Sequence, residues 1–459
     1  MSRVALSIYD DVGNPHYGGG GPRIVHRIAR ELAAEHEVRV YVGSYRGSGR
    51  HTERDGIRYT FVPVGWAGPR AGQLLFVLVL PLVVLLSLVR GRAKRPAAWI
   101  ESLTPPASAS LLPLAGRLVG TPVAGLVQML SGADMQLRYK LPFEAVERLG
   151  LRLYRHVVTL NDVDARIVRA ASPRTEVTVI PNAIDPPADV VPGPGTGRAL
   201  FLGRVDVRQK GLDLLVEALA GSGVELDLAG SGTAAEEEKL RALVPPGVRL
   251  LGRVEGRAKE ELLRDCAFLV VPSRYETFCL TALEAMAYGR PVVHFGIERN
   301  GWIGGGAGIA VPPFEVEALR AAIVALHADP ALRTELGAGA LRRSAEFDWV
   351  TVGGRYRELV AGLVGSRTGP GTGSGTGQRR SSRLRTAESR SRVSSDNRAT
   401  IRLRSSVAAT TAARWADPVR RFGNSCIRTC SRVPLARSAL YASFSPSRSS
   451  SPTDGAAKA

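Results

Sequence analysis

The feature that most constrains this chain is an alternation that runs, breaks and runs again. Over the first 185 residues, short β-branched runs alternate with helical periods: RVALSIYD, PRIVHRIARELAAE and EVRVYVG, then PAAWIES, TPVAGLVQ, RHVVTLN and EVTVIPN. Strands of this length separated by amphipathic helices pair in parallel, with helices covering the sheet. A Pro- and Gly-rich stretch at residues 186–197, PPADVVPGPGTG, breaks the pattern. It then restarts with RALFLGRV, KGLDLLVEALA, VELDLAGSG, EEEKLRALV, VRLLGRV, FLVVPS and PVVHFG. The expectation is an α/β chain of two doubly wound domains, with a ligand cleft between them.

Charge maps unevenly along the 459 residues. The formal charge is +19, yet residues 366–459 alone carry 18 basic and 4 acidic residues, so most of the surplus sits in the tail. That tail is rich in Ser, Arg, Gly and Thr without a sustained period and cannot bury enough apolar surface to offset ordering entropy, so it reads as disordered. RNA or anionic lipid are the partners such a tail fits, and no specific role is the simpler reading. The four cysteines, Cys266, Cys279, Cys426 and Cys430, form no CxxC pair and no disulfide framework, which points to a reducing compartment. The opening MSRVALSIYDD has too short an apolar run for a signal peptide and reads as a first buried strand.

Residues 74–89, LLFVLVLPLVVLLSLV, break the alternation with an uncharged run flanked by Arg70 and by Arg90, Arg92, Lys94 and Arg95. As a helix it is about 24 Å long, short of a ~30 Å hydrocarbon core, and Pro81 interrupts it. Three placements fit: a helix packed on the sheet, an interfacial helix with basic flanks, and, least well, a membrane span.

Four stretches carry chemistry. HYGGGGPRIVHRIARELA sets glycines, Gly19 and Gly20 among them, between a strand and a helix, where bare amides and the helix dipole favour an anion, with Pro22 suited to the first helical position. It has neither the GxGxxG spacing of a dinucleotide site nor the ending of a P-loop. FLGRVDVRQKGLDLL places Arg204 past a strand and Lys210 before a helix, a sensible diphosphate clamp or simply two solvated charges. LAGSG, with Gly230, adds another strand-to-glycine turn on the same sheet edge. Finally SRYETFCLTALEAMAYGRPVV carries Glu276 at the mouth of an expected helix and Glu284 about two turns inside it, roughly 12 Å further along. That separation is too wide for a glycosidase pair. The two acids suit different parts of one extended ligand, and Glu284, among apolar neighbours, needs a partner, either ligand hydroxyls or a structural cation.

PSRYETFCLTALEAMAYGRPVV resembles the signature of retaining nucleotide-sugar glycosyltransferases of the GT-B fold, the family-4 group that includes sucrose synthase-like and phosphatidylinositol mannosyltransferase-like enzymes. The likeness covers about residues 3–360, with the GG loop, VIPNAID, GRV plus KG, LAGSG and the paired Glu in the same order. It implies two Rossmann-like domains: an acceptor-binding domain at 1–185, the linker 186–197, a nucleotide-sugar-binding domain at 198–346, and a C-terminal helix at 347–365 returning to the first domain before the basic tail 366–459. The resemblance further implies that Glu276 contacts the donor sugar and that amides of Thr277, Phe278, Cys279 and Leu280 hold sugar hydroxyls and phosphate. Glu284 would bind the ribose, Arg204 and Lys210 the diphosphate, with Gly19 and Gly20 approaching from the other domain and the backbone near Arg253 and Val254 framing the base. Where the family commonly has a His, this chain has Gln128, which can still donate and accept hydrogen bonds to a sugar. Thr277 and Cys279 also depart from the family's small residues.

The implied reaction is retaining transfer from a nucleoside diphosphate sugar to an acceptor hydroxyl, the leaving phosphate oxygen taking the acceptor proton. No cofactor or metal is implied; Asp162 and Asp164 form a DxD string on an expected strand end. The partners are the donor and an acceptor glycan or lipid-linked sugar, with no specific nucleic acid. Residues 74–95 suggest peripheral association at the cytoplasmic membrane face. The rival readings are a catalytically silent sugar-nucleotide-binding scaffold, a tail-based RNA or membrane module, and an epimerase or phosphorylase, the last without a pyridoxal lysine motif.

Overall fold

The computed structural model describes residues 1–15, 20–86, 91, 95–103, 110–130, 132–188, 190–304 and 306–365. The expected disordered tail at 366–459 lies outside the described residues, as do Gly19 and the basic residues Arg90, Arg92 and Lys94.

The first half runs β1 (Ser2–Ser7), α1 (Gly20–Ala33), β2 (His36–Gly43), β3 (His51–Arg54), β4 (Ile57–Val62), α2 (Gly68–Leu85) and β5 (Ala98–Leu103). It continues through α3 (Leu112–Val119), β6 (Val123–Val127), α4 (Gly132–Tyr139), α5 (Phe143–Leu151), β7 (His156–Thr159), α6 (Asp162–Ala171) and β8 (Glu176–Val179). These strands form one sheet in the order β3-β4-β2-β1-β5-β6-β7-β8. All its pairs are parallel except β3 with β4, a hairpin closed by Asp55 and Gly56, both at positive φ. The sequence reading passed over that hairpin, although Asp-Gly between alternating runs is the strongest short-range hairpin signal.

The second half runs β9 (Ala199–Leu202), α7 (Leu212–Leu219), β10 (Leu226–Ala229), α8 (Ala234–Leu243), β11 (Val248–Gly252), α9 (Gly256–Asp265) and β12 (Phe268–Val271). Then come α10 (Leu280–Ala287), β13 (Val292–Phe295), β14 (Gly308–Val311), α11 (Val316–Ala328), α12 (Pro330–Ser344) and α13 (Trp349–Gly365). Its sheet, wholly parallel, has the order β11-β10-β9-β12-β13-β14. β14 was not anticipated, because GIAV is too short and too small to stand out. In both sheets the order reverses beside the first strand, between β1 and β5 and between β9 and β12. Ligands of doubly wound folds bind at such switch points, outside the carboxyl ends of the strands.

Four cores cover the sheet faces. On one face of the first sheet, Ile28 and Leu32 of α1 pack with Val40, Tyr356 and Val360, so α13 belongs to the core of the first half although it follows the second in sequence. The opposite face buries Trp99 and Leu112 with Phe76, Leu80 and Val84 of α2. Pro81 lies inside α2 and does not end it. Its neighbours Leu80 and Val84 are 1% exposed, and that packing outweighs the hydrogen bond a mid-helix proline removes. The opposite ridge of α2, Leu74, Leu78, Leu82 and the following Leu86, is 52–57% exposed.

Candidate active site at the switch point of the second sheet

Arg204 and Lys210 follow β9, and Glu276 follows β12, so chain topology brings them together at the carboxyl ends of adjacent strands. Gly211 makes the meeting tight. It takes φ +64°, and a Cβ there would lie 1.9 Å from the carbonyl oxygen of Pro272. The β9–α7 turn therefore seats directly on the β12–α10 turn. Lys210 Nζ donates to Glu276 Oε1 at 2.6 Å, and Ser273 Oγ donates to the same oxygen at 2.7 Å. Glu276 is buried, and among the described residues nothing bonds its Oε2. Burial alone would lower the pKa of the Lys210 ammonium, but the facing Glu276 carboxylate outweighs it and raises the value above that of a free lysine.

Arg204 stands apart from that pair. Its guanidinium donates to Gln209 Oε1 at 2.7 Å and is largely exposed, yet it lies near enough to Lys210 to act on its charge. Gly230 has a packing task of its own, since a Cβ there would meet the Gly203 carbonyl oxygen at 1.7 Å. It thus lets β10 run out close beside the β9 turn.

The two glutamates do not share a helix. α10 begins at Leu280, so Glu276 sits in the irregular loop ahead of it, while Glu284 is inside. The loop is held out of helical form by Phe278, which stacks on Trp302 at 4.3 Å between ring centroids and leans on Phe347 at 5.8 Å. The Phe278 ring thus fills the junction of the halves and leaves only its backbone to a ligand. The amides of Phe278, Cys279 and Leu280 bond to nothing among the described residues, and α10 has no side-chain cap, so its positive end is open. The Cys279 thiol is buried, which pushes its pKa up to about 12 and leaves it inert at neutral pH. Facing this helix end across the cleft is the start of α1: a Cβ on Gly20 would touch Leu280 Cδ1 at 2.8 Å.

Glu284 is half-buried and is paired with a cation. Lys259 Nζ on α9 reaches its Oε1 at 2.6 Å, a partner invisible to sequence reasoning because it depends on how α9 packs on α10. Glu255 joins the halves at the cleft rim, accepting from Arg253 at 3.0 Å and from Arg23 of α1 at 2.9 Å. Val254 packs into the core beneath. Gln128, just past β6, has its Nε2 buried without any hydrogen-bond partner among the described residues, a state a donor group tolerates only when something polar completes it. The Asp162–Asp164 string lies in the first turn of α6 rather than on a strand, and Asp164 is fully buried against Arg299 at 2.7 Å. Among the described residues, no group of three or more His, Cys, Asp or Glu could hold a metal ion.

Two family models match the chain, a glycosyl transferase 4-like domain over residues 19–183 and glycosyl transferases group 1 over residues 196–329. D-rhamnosyltransferase WbpZ of Pseudomonas aeruginosa is 31% identical over 272 residues, 52% of this chain and 67% of that protein. Glycogen synthase of Mycobacterium tuberculosis is 33% identical over 192 residues, 39% of this chain and 46% of that protein. Phosphatidyl-myo-inositol mannosyltransferase of Mycobacterium leprae is 33% identical over 164 residues, 33% of this chain and 43% of that protein. The chain thus spans less than half the length of these last two relatives. Among solved structures, sucrose-phosphate synthase from Thermosynechococcus elongatus matches with a TM-score of 0.66 at 21% identity, over 80% of this chain and all of that one. HepE from Anabaena, solved with UDP-glucose, matches with a TM-score of 0.60 at 17% identity, over 79% of this chain and all of that one. The chain belongs to the group 1 glycosyltransferases, and its fold is GT-B.

Proposed function

We propose that the protein transfers a glycosyl unit from a nucleoside diphosphate sugar to an acceptor hydroxyl, with retention at the anomeric carbon. The observation that carries this reading is the buried Lys210–Glu276 pair at the switch point, set between the open end of α10 and the start of α1. A diphosphate is the ligand that such amides, with Lys210 and Arg204 beside them, suit best. Glu276 is placed for the donor sugar, Glu284 for the ribose, and Gln128, whose Nε2 has no partner among the described residues, for a sugar hydroxyl from the first half. In the reaction, the bond from the anomeric carbon to the leaving phosphate oxygen breaks as the bond to the acceptor oxygen forms, and the acceptor proton passes to that phosphate oxygen. Lys210, Arg204 and the α10 amides stabilise the charge growing on the leaving diphosphate.

The acceptor in this reading is a lipid-linked or envelope glycan at a membrane face. Its support is the exposed leucine ridge of α2, beside which α3 exposes Leu114 and Leu118 and the preceding Leu111 is exposed too. Such a surface suits lying in an interface. Among the described residues, no helix is long and apolar enough to cross a membrane. A thermal-shift panel of nucleotide sugars, followed by radiolabelled turnover, tests the reading. A true donor at 100 times its dissociation constant raises stability by about 2.7 kcal/mol. No shift with any donor sinks the proposal, and binding without turnover points instead to a silent scaffold.

A further inference from the structure

Both residues that flank Glu276 are fastened to the opposite half of the molecule. On one side, Tyr275 donates its hydroxyl to the carbonyl of Leu130 at 2.8 Å. On the other, the carbonyl of Thr277 accepts from Asn161 Nδ2 at 2.9 Å. Leu130 follows β6 and Asn161 caps α6, so each fastening spans more than a hundred residues of chain. The two are themselves linked. Asn161 gives its second amide hydrogen to Asp164 Oδ2 at 2.9 Å and accepts from the Asp164 backbone amide at 2.8 Å. Asp164 in turn holds Arg299, whose guanidinium lies 4.8 Å from the centre of the Tyr275 ring. From Tyr275 through Arg299, Asp164 and Asn161 to Thr277 the contacts close into a ring, with Glu276 the residue it encloses. The Asn161 orientation is fixed by its partners, because a flipped amide would set its oxygen against the Asp164 carboxylate and the Thr277 carbonyl.

We propose that Asn161 and Tyr275 are positioning residues that set Glu276 only while the two halves are docked as they are here. The proposal rests on the reading of Glu276 as the group that meets the donor sugar. The loop of Glu276 is neither helix nor strand, so its backbone has no ladder to hold it. Within its own half, among the described residues, the Glu276 carboxylate is held by Ser273 and Lys210 alone. The two cross-half hydrogen bonds tether the residues on either side of Glu276, one through the Tyr275 side chain and one through the Thr277 carbonyl, and separation of the halves releases both at once. Docking of the first half is thereby coupled to the orientation of a carboxylate that belongs to the second.

Two variants of the full chain separate this from a merely structural role. Asn161→Ser keeps a capping oxygen for α6 but is too short to reach Thr277, and Tyr275→Phe removes only a hydroxyl. In the ligand-free protein, hydrogen exchange of the Ala282 and Leu283 amides, which tie the first turn of α10 to the Cys279 carbonyl, is expected to quicken about tenfold in either variant, the size of one net hydrogen bond, while β12 and α6 stay unchanged. With the nucleotide sugar that the wild type turns over, kcat is expected to fall about tenfold while KM stays within about twofold. Unchanged exchange in both variants, or a KM that rises at constant kcat, overturns the proposal. Should the wild type turn over no nucleotide sugar, the proposed function fails, and the exchange data still decide the clamp.

Discussion

Gly211 and Pro272 touch backbone to backbone, so closely that no side chain larger than hydrogen fits between them. Through this contact a lysine after one strand reaches a glutamate after the next. Gly211→Ala is expected to cost roughly 2–3 kcal/mol, from the left-handed φ and the clash together, and to draw Lys210 away from Glu276. Urea denaturation measures the first effect; an unshifted midpoint would show that the two turns are not locked.

Removing one member of the buried Lys210–Glu276 pair is expected to hurt twice. Glu276→Ala should cut turnover at least ~100-fold by losing a contact made in the transition state. It should also destabilise the fold by about 3–5 kcal/mol, because an ammonium is left buried and alone. The double variant Lys210→Met/Glu276→Leu should regain much of that stability and none of the activity. Thermal melts beside turnover assays read both, and a double variant as unstable as Glu276→Ala would refute the charge argument.

Glu284 should behave differently. Glu284→Ala is expected to raise KM for the donor roughly tenfold or more, the loss of a charged hydrogen bond, at nearly constant kcat. A fall in kcat alone would move Glu284 away from the ribose.

Acid stability should depend on Glu101 in β5, buried within the first sheet. Burial pushes its pKa up to about 7 from an ordinary 4.5, against hydrogen bonds from Tyr154 and Ser110 that act the other way. Because the folded state holds this proton more tightly than the unfolded chain, the stabilisation is complete below pH 4.5 and is lost as pH rises through about 7. The swing is about 3 kcal/mol. Glu101→Gln, which still accepts from Tyr154, should flatten this part of the stability profile. Denaturation midpoints from pH 4.5 to 8 that fall equally in both proteins would reject the assignment.

The leucine ridge offers a direct test of membrane contact. Leu78→Ser with Leu82→Ser should lower affinity for anionic phospholipid vesicles at least ~10-fold, the loss of two apolar anchors, without changing the melting temperature. Equal co-sedimentation of variant and wild type would remove α2 from the interface.

Much of this architecture is legible in the sequence, since period-2 and period-3.6 patterns set by the two parallel sheets survive in β1, β2, β9 and β12 and in the helices between them. What escaped depends on contacts between distant parts of the chain. FCLTALEAMAYG has helical composition from Phe278 onward, yet the stacking of Phe278 on Trp302 outweighs local propensity and delays the helix to Leu280. Lys259 and Asn161 look like ordinary surface residues until α9 packs on α10 and the halves dock. Ser273 stood in plain view, three residues before Glu276, but a serine at that spacing carries no chemistry until the loop folds back. The hairpin at Asp55–Gly56 was there to be read.

The return of α13 makes the second half an insertion within the first. Ile184 on the outgoing strand of chain and Asp348 on the incoming one are paired in a parallel bridge, so both crossings lie side by side. A fragment cut after residue 185 would leave Ile28 and Leu32 without the Tyr356 and Val360 that cover them, and would be expected to clump rather than fold. The second half, by contrast, has neighbouring entry and exit points, so it can be spliced between relatives as one cassette.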